Sequence, residues 1–158
     1  MSAEAARTHL RNKGFEDRII TREDSTATVE AAAAAIGVTP GEIAKTLSFI
    51  LSSGPVLIVA EGTARVDNKK FKAVFAEKAR MIPFEEVEEL TGHAPGGVCP
   101  FGAQEGVKIY LDESLRKYDT IYPAAGDAHS AVRLSVEELE KAVDVTAWVD
   151  VAREPGQQ

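Results

Sequence analysis

Thr46-Leu47-Ser48-Phe49-Ile50-Leu51, then Ser52-Ser53-Gly54-Pro55, then Val56-Leu57-Ile58-Val59-Ala60: two apolar runs are divided by four turn-forming residues. Each run has strand length and is bounded by turn residues, so the stretch reads as a buried β-hairpin. Just upstream, Thr39-Pro40-Gly41-Glu42 carries a capping Thr, a Pro at the first helical position and a Glu three residues on, the signature of a short helical turn. Further upstream, Thr28 to Ile36 is alanine-rich and stopped by Gly37, which predicts a helix with a bare face that other backbone can approach closely. Ser2 to Lys13 predicts a helix closed by Gly14, and Phe15 to Thr21 a strand.

Downstream of the hairpin, Asp67 can cap a basic helix through Phe75, and Pro83 to Leu90 reads as an acidic helix closed by Gly92. Val107 to Leu111, Thr120 to Pro123 and Val132 to Leu134 read as core strands. Ser135-Val136-Glu137-Glu138 opens a helix with a capping box. Val145 to Val151 is expected to close the fold as a strand, with Arg153 to Gln158 a frayed tail. Helical and strand-like segments alternate without internal repeat or low-complexity linker, so the fold class is mixed α/β (α+β) in one domain over 1–158.

Composition narrows the function classes. The chain of 158 residues is 44% hydrophobic and 27% charged, ordinary for a soluble globular protein. No stretch approaches the roughly 18 apolar residues of a membrane span, and Met1 to Lys13 has no apolar core of the kind a secretory signal needs. One cysteine, Cys99, can form neither an internal disulfide nor a cysteine-based metal site, so a cytoplasmic location is expected. Net charge of −7 argues against nucleic-acid binding by bulk electrostatics. A local exception runs from Arg65 to Arg80, where six basic residues face two acidic ones. A monomer is expected, since no long apolar surface helix is visible.

The segment His93 to Gly106 holds four glycines and two prolines and shows no periodicity. Such composition permits unusual backbone angles and close approach of backbone amides to a ligand, and a loop of this length in a compact domain is commonly functional. Lys45, among Ile43, Ala44 and Leu47, could clamp a phosphate or an ester at the mouth of an apolar pocket, although a lysine beside a strand is most often a solvated edge residue. Cys99 could act as a nucleophile if paired with His93 or His129, but no spacing establishes such a pair. His129 can be either a pocket residue or a turn residue. His9, His93 and His129 are isolated from one another, which leaves no metal-ligand cluster. There is no phosphate loop, dinucleotide fingerprint or Gly-x-Ser-x-Gly elbow, and no cofactor is expected.

Three segments in order carry a resemblance: Ile43-Ala44-Lys45-Thr46-Leu47; Gly96-Gly97-Val98-Cys99-Pro100-Phe101-Gly102; and Ala125-Gly126-Asp127-Ala128-His129-Ser130-Ala131-Val132-Arg133-Leu134-Ser135. Together they resemble the YbaK/EbsC family, which includes free-standing relatives of the prolyl-tRNA synthetase editing domain, over about Thr26 to Val151. The resemblance implies a strongly curved, mixed β-sheet, nearly a barrel, surrounded by helices. It also implies hydrolysis of the ester joining a wrong amino acid, such as cysteine, alanine or another small residue, to the tRNA 3′ end, commonly on tRNA for proline.

The partner would be the acceptor end of an aminoacyl-tRNA, with a synthetase as a possible second partner. Lys45 matches the family lysine needed for activity, which would hold the terminal adenosine or its phosphate and orient the ester. Gly96, Gly97, Val98, Cys99 and Pro100 match the family's Gly-x-x-x-Pro loop, whose backbone would shape the pocket and polarise the scissile carbonyl. Gly126 matches a late glycine against the amino acid, and His129 falls where the family varies with substrate. One common form of the loop has Ser before the Pro, where this chain has Cys99. In this family water or a group of the substrate attacks, so the cysteine is not required as a nucleophile. Two other readings stand beside this one: a non-catalytic tRNA-binding or synthetase-associated module using the Arg65 to Arg80 patch, and a cysteine-dependent hydrolase using Cys99.

Overall fold

The structure, a computed structural model, describes residues 2–154. Its centre is the hairpin: β2 (Ile43–Leu51) and β3 (Gly54–Glu61) pair antiparallel from Ala44↔Glu61 to Leu51↔Gly54. Gly54 takes φ of +129°, a value open to glycine, and lets the chain turn after Ser52-Ser53. β2 starts earlier than the apolar run alone predicts, because pairing with β3 carries through Lys45, which interrupts the hydrophobic pattern, to Ala44.

Around this hairpin lie β5 (Lys108–Asp112), β6 (Thr120–Pro123), β8 (Leu134–Ser135) and β9 (Ala147–Val149). The strand order is β8-β6-β2-β3-β5-β9, a mixed sheet curled into a half-barrel. The contacts β2–β6, β3–β5 and β5–β9 are parallel, and β6–β8 is antiparallel. Two short ribbons flank it: β1 (Ile19–Thr21) with β7 (Ser130–Val132), and β4 (Arg65–Val66) with β10 (Ala152–Arg153).

Because side chains alternate along a strand, β3 supplies two cores. Leu57 and Val59 join Leu111, Ile121 and Leu134 on one face, where α1 (Ser2–Lys13) adds Ala6 and Leu10 and α5 (Val136–Ala142) adds Leu139. Val56 and Ile58 join Phe49 and Phe71 on the other, beneath α3 (Asn68–Phe75). The caps read in the sequence are in place. Thr28 accepts from the Ala31 N–H at the start of α2 (Val29–Ile36), and Asp67 accepts from Lys69 and Lys70 at 3.0 and 3.1 Å. Ser135 and Glu138 form their reciprocal pair.

Several expected elements are re-partitioned. The strand expected from Phe15 begins instead as a 3₁₀ turn at Glu16–Arg18, since Arg11 holds the Glu16 carboxylate at 2.9 and 3.1 Å and the Phe15 N–H returns to the Leu10 carbonyl. The acidic helix splits into a 3₁₀ turn, Phe84–Glu86, and α4 (Val87–Thr91). Glu85 stands three and four residues from Glu88 and Glu89, and Glu86 three from Glu89, and like charges at that spacing disfavour one continuous helix. The strand expected over Val132 to Leu134 changes partner at Arg133, whose N–H goes to the Arg18 carbonyl. Likewise the last strand divides at Asp150, and Arg153, expected to be frayed, pairs with Arg65. Residues 155–158 of the expected tail lie outside the described residues.

Arg18 grips Glu138 through two bonds of 2.9 and 2.7 Å, joining the first 3₁₀ turn to α5. These bonds, then the Ser135 N–H, pull the Glu138 carboxyl from its ordinary 4.5 down to about 2. A depressed folded-state value means that the carboxylate adds stability above the ordinary value, and that this is lost as pH falls toward about 2. The urea midpoint is therefore expected to drop between pH 4.5 and pH 2, with a shallower drop in Glu138→Gln.

Candidate functional site

β2 and β6 stay together for only two pairs, Ile43↔Tyr122 and Ala44↔Pro123. Pro123 has no N–H to continue the ladder. Beyond it the chain reaches Ala124, which bridges to Ala131 across the turn 125–130. The strands part at Lys45, and a cleft of about 110 Å³ lies there. Its walls are Ala44, Lys45 and Thr46 on one side and Tyr122, Ala124 and Ala131 on the other. Thr26 to Val29 and the loop residues Pro95, Gly96 and Val98 complete it. The segment before α2 is drawn over the cleft by backbone bonds from Arg22 to the His129 carbonyl and from Thr26 to the Ala128 carbonyl, at 2.8 and 2.6 Å. The alanine face of α2 contributes Ala32 to the lining.

Lys45 is half-buried, and its ammonium donates to the Ala64 carbonyl. Burial, and then the charge of Arg65, push its pKa below the ordinary lysine range, against the opposing pull of Glu61 and Glu30. The turn that offers this carbonyl is itself anchored. Glu61, 1% exposed, receives Thr63 and Lys117, and a Cβ on Gly62 would meet the Pro40 carbonyl at 2.1 Å.

The glycine-rich loop and the Gly126 turn meet backbone to backbone. Gly97 lies so close to Gly126 and Asp127 that a Cβ there would sit 2.4 Å from the Gly126 carbonyl carbon. Gly126 has φ of +96° and packs on Ser2 of α1. Of the loop residues singled out in the sequence, Gly96 and Val98 line the cleft, whereas Gly97, Cys99 and Pro100 are buried outside its lining. Gly126 stands behind the loop. His129 is exposed beside the turn, its N–H held by Asp127 at 2.8 Å and its Nδ1 3.3 Å from the Asp24 carbonyl, and it does not line the cleft.

Cys99 and His93 do come together, with Sγ 3.6 Å from Nε2, but both are fully buried. Burial pushes the thiol up to about 12. Burial also holds His93 below its ordinary value, and its ring sits between Phe101 and Ser2, with the Phe101 carbonyl 2.8 Å from Nε2. A protonated, inaccessible thiol is a poor nucleophile. Cys99 is expected to resist alkylation at pH 8 in the folded protein and to react at once when urea is added; rapid labelling of the native state would contradict this burial.

Sequence reasoning passed over Thr26, Thr46, Tyr122 and Ser130, all of which line the cleft. The Thr26 and Thr46 hydroxyls are buried and have no hydrogen-bond partner among the described residues. Nothing local marks either threonine, since their placement depends on where β2 leaves β6. Among the described residues no group of three or more His, Cys, Asp or Glu is disposed to hold a metal ion, and no helix is long and apolar enough to cross a membrane.

Residues 23–142 match the aminoacyl-tRNA editing domain family. The chain is 44% identical over 155 residues to the uncharacterized protein YwhH of Bacillus subtilis, covering 98% of this chain and 99% of that one. It is 31% identical over 93 residues, 58% of this chain and 16% of the relative, to the proline–tRNA ligase of Bacillus licheniformis. Among solved structures, a candidate trans-editing enzyme for prolyl-tRNA synthetase superposes with a TM-score of 0.85 at 32% identity, over 96% of this chain and 97% of that one. With the family matched across both walls of the cleft and the glycine loop, the chain belongs to the aminoacyl-tRNA editing domain family.

Proposed function

We propose that the protein is a free-standing deacylase, a cytoplasmic monomer that hydrolyses the ester between a small, wrongly attached amino acid and the 3′ end of tRNA for proline. Hydrolysis of an aminoacyl-tRNA ester is the chemistry of the editing family to which the chain belongs. The observation that carries the reading is the half-buried ammonium of Lys45 in the wall of a cleft of about 110 Å³. That is well below the roughly 300–1,000 Å³ of a pocket that swallows a large ligand. It suits an aminoacyl group whose nucleotide stays at the mouth.

In this account Lys45, a point charge with three donors, holds the 3′ end and orients the ester. The Gly97 N–H is already given to the Ala94 carbonyl at 2.8 Å, so the backbone of Gly96 and Val98, which face the cleft, is assigned to polarise the carbonyl. Water, which a group of the substrate can help to deprotonate, adds to the carbonyl carbon. The C–O ester bond then breaks, and the proton passes to the departing ribose hydroxyl. No protein nucleophile takes part. A second, size-limited site is physically useful because one methylene separates two amino acids by only about 1–3 kcal/mol in a synthetase pocket.

The test is release of amino acid from tRNA for proline charged with alanine, cysteine, serine or proline. Loss of a small mischarged residue with proline spared is expected; stability of all four would overturn the reading. A tRNA-binding module of the same fold is the second reading, favoured by Lys69, Lys72 and Lys78 lining one surface depression beside α3. It predicts salt-sensitive tRNA binding, indifferent to Lys45→Ala and without deacylation.

A further inference from the structure

Thr26 and Thr46 reach the cleft from different elements, the segment before α2 and strand β2. Their hydroxyls are buried without a partner among the described residues, and Thr26 as a whole is only 8% exposed. Buried hydroxyls are nearly always bonded, so a pair left unbonded in the same cleft points to a ligand that supplies the bond. Three other polar groups of the lining have partners within the protein. Lys45 gives its ammonium to Ala64, Ser130 faces the Asp127 carboxylate at 3.4 Å, and the Thr26 N–H goes to Ala128. Val29, Ala32, Ile43 and Ala131 make much of the remaining wall apolar.

We infer that the cleft is built for a small hydroxyl-bearing amino acid, serine, in preference to alanine, with the Thr26 and Thr46 hydroxyls as the groups that tell them apart; this rests on the deacylase reading above. The amino acid's own ammonium is the competing partner for the two hydroxyls. Lys45 already places one cation in the cleft, and no carboxylate is among the described residues that line it. A second cation is therefore repelled toward the mouth, and the side chain turns inward. There an alanyl methyl displaces water and leaves both hydroxyls unpaired. A seryl hydroxyl, able to donate and accept at once, pairs with them. Sites that hydrogen-bond a substrate hydroxyl discriminate strongly against the analogue that lacks it, so a preference of about tenfold or more is expected.

The experiment compares kcat/KM for seryl and alanyl esters of the same tRNA for proline, in the wild type and in Thr26→Val, Thr46→Val, Thr26→Ser and Thr46→Ser. The valine changes keep the shape and remove the hydroxyl; the serine changes keep the hydroxyl. The seryl-to-alanyl ratio should be about ten or more in the wild type, fall toward one in the valine variants and persist in the serine variants. Equal turnover of the two esters by the wild type overturns the inference and leaves the deacylase reading standing. So does a ratio that the valine variants leave unchanged, which would assign the hydroxyls to a part common to both substrates. No turnover of either ester by the wild type removes the inference, and the deacylase reading falls with it only if the cysteinyl ester is stable as well.

Discussion

Lys45→Ala is expected to lower deacylation by about 10²–10³-fold, the loss that follows removal of one preorganised charge-stabilising donor from a reacting carbonyl. The size of the effect comes from the setting of the ammonium. It is half-buried and fixed by the Ala64 carbonyl, on a turn that Glu61 and Gly62 hold rigid. Lys45→Arg should not restore the rate, because a planar guanidinium cannot occupy the place of a compact ammonium tied to one carbonyl. The pH profile follows from the same environment. Burial and Arg65 lower the Lys45 pKa, and the charged form does the work. The enzyme's acceleration over spontaneous ester hydrolysis should therefore fade as pH rises, at a lower pH than an ordinary lysine would give. An acceleration that holds flat through the ordinary lysine range would remove Lys45 from the reaction.

Gly97→Ala is expected to cost about 1–3 kcal/mol of stability and most of the activity. The new methyl would sit 2.4 Å from the Gly126 carbonyl carbon and 2.5 Å from the Asp127 nitrogen, and both are backbone that cannot rotate away. The loop must then lift from the Gly126 turn, taking Gly96 and Val98 out of the cleft wall. Gly96→Ala is the control, since its methyl would meet only the Ala128 and Ala27 methyls at 3.5 and 3.7 Å, ordinary contact distances. Thermal unfolding of the two variants should separate them: a clear drop in Tm for Gly97→Ala and little change for Gly96→Ala. Equal Tm values would mean that the two loops do not meet as described.

Much of the framework could be read from local chemistry. The caps at Thr28, Asp67 and Ser135, the Gly37 and Gly92 stops, and the hairpin across Ser52-Ser53 each depend on a few neighbouring residues. The glycine loop stood out by composition, and Lys45 through the family resemblance. What could not be read was set by partners far along the chain. The break at Arg133 arises because β7 pairs with β1 while β8 pairs with β6, and the last strand divides before β10 where Val151 donates to Asp112 at 2.8 Å. The same limit applies to the cleft. The family resemblance marked Gly96 to Pro100 as one unit, yet only Gly96 and Val98 of these face the space, and Cys99 turns toward His93. Thr26 and Thr46 acquire meaning only once β2 and β6 separate between them.

The most direct test of the account is a single-turnover reaction with the protein in excess over tRNA for proline carrying alanine or serine. Excess protein captures every ester, so weak binding cannot hide the chemistry. The ester is expected to decay faster than in buffer, yielding free amino acid and intact tRNA, and Lys45→Ala is expected to slow that decay by about 10²–10³-fold, or to the buffer rate where the acceleration is smaller. Decay at the buffer rate with the wild type, while the tRNA remains bound, would contradict it and leave a binding module in its place.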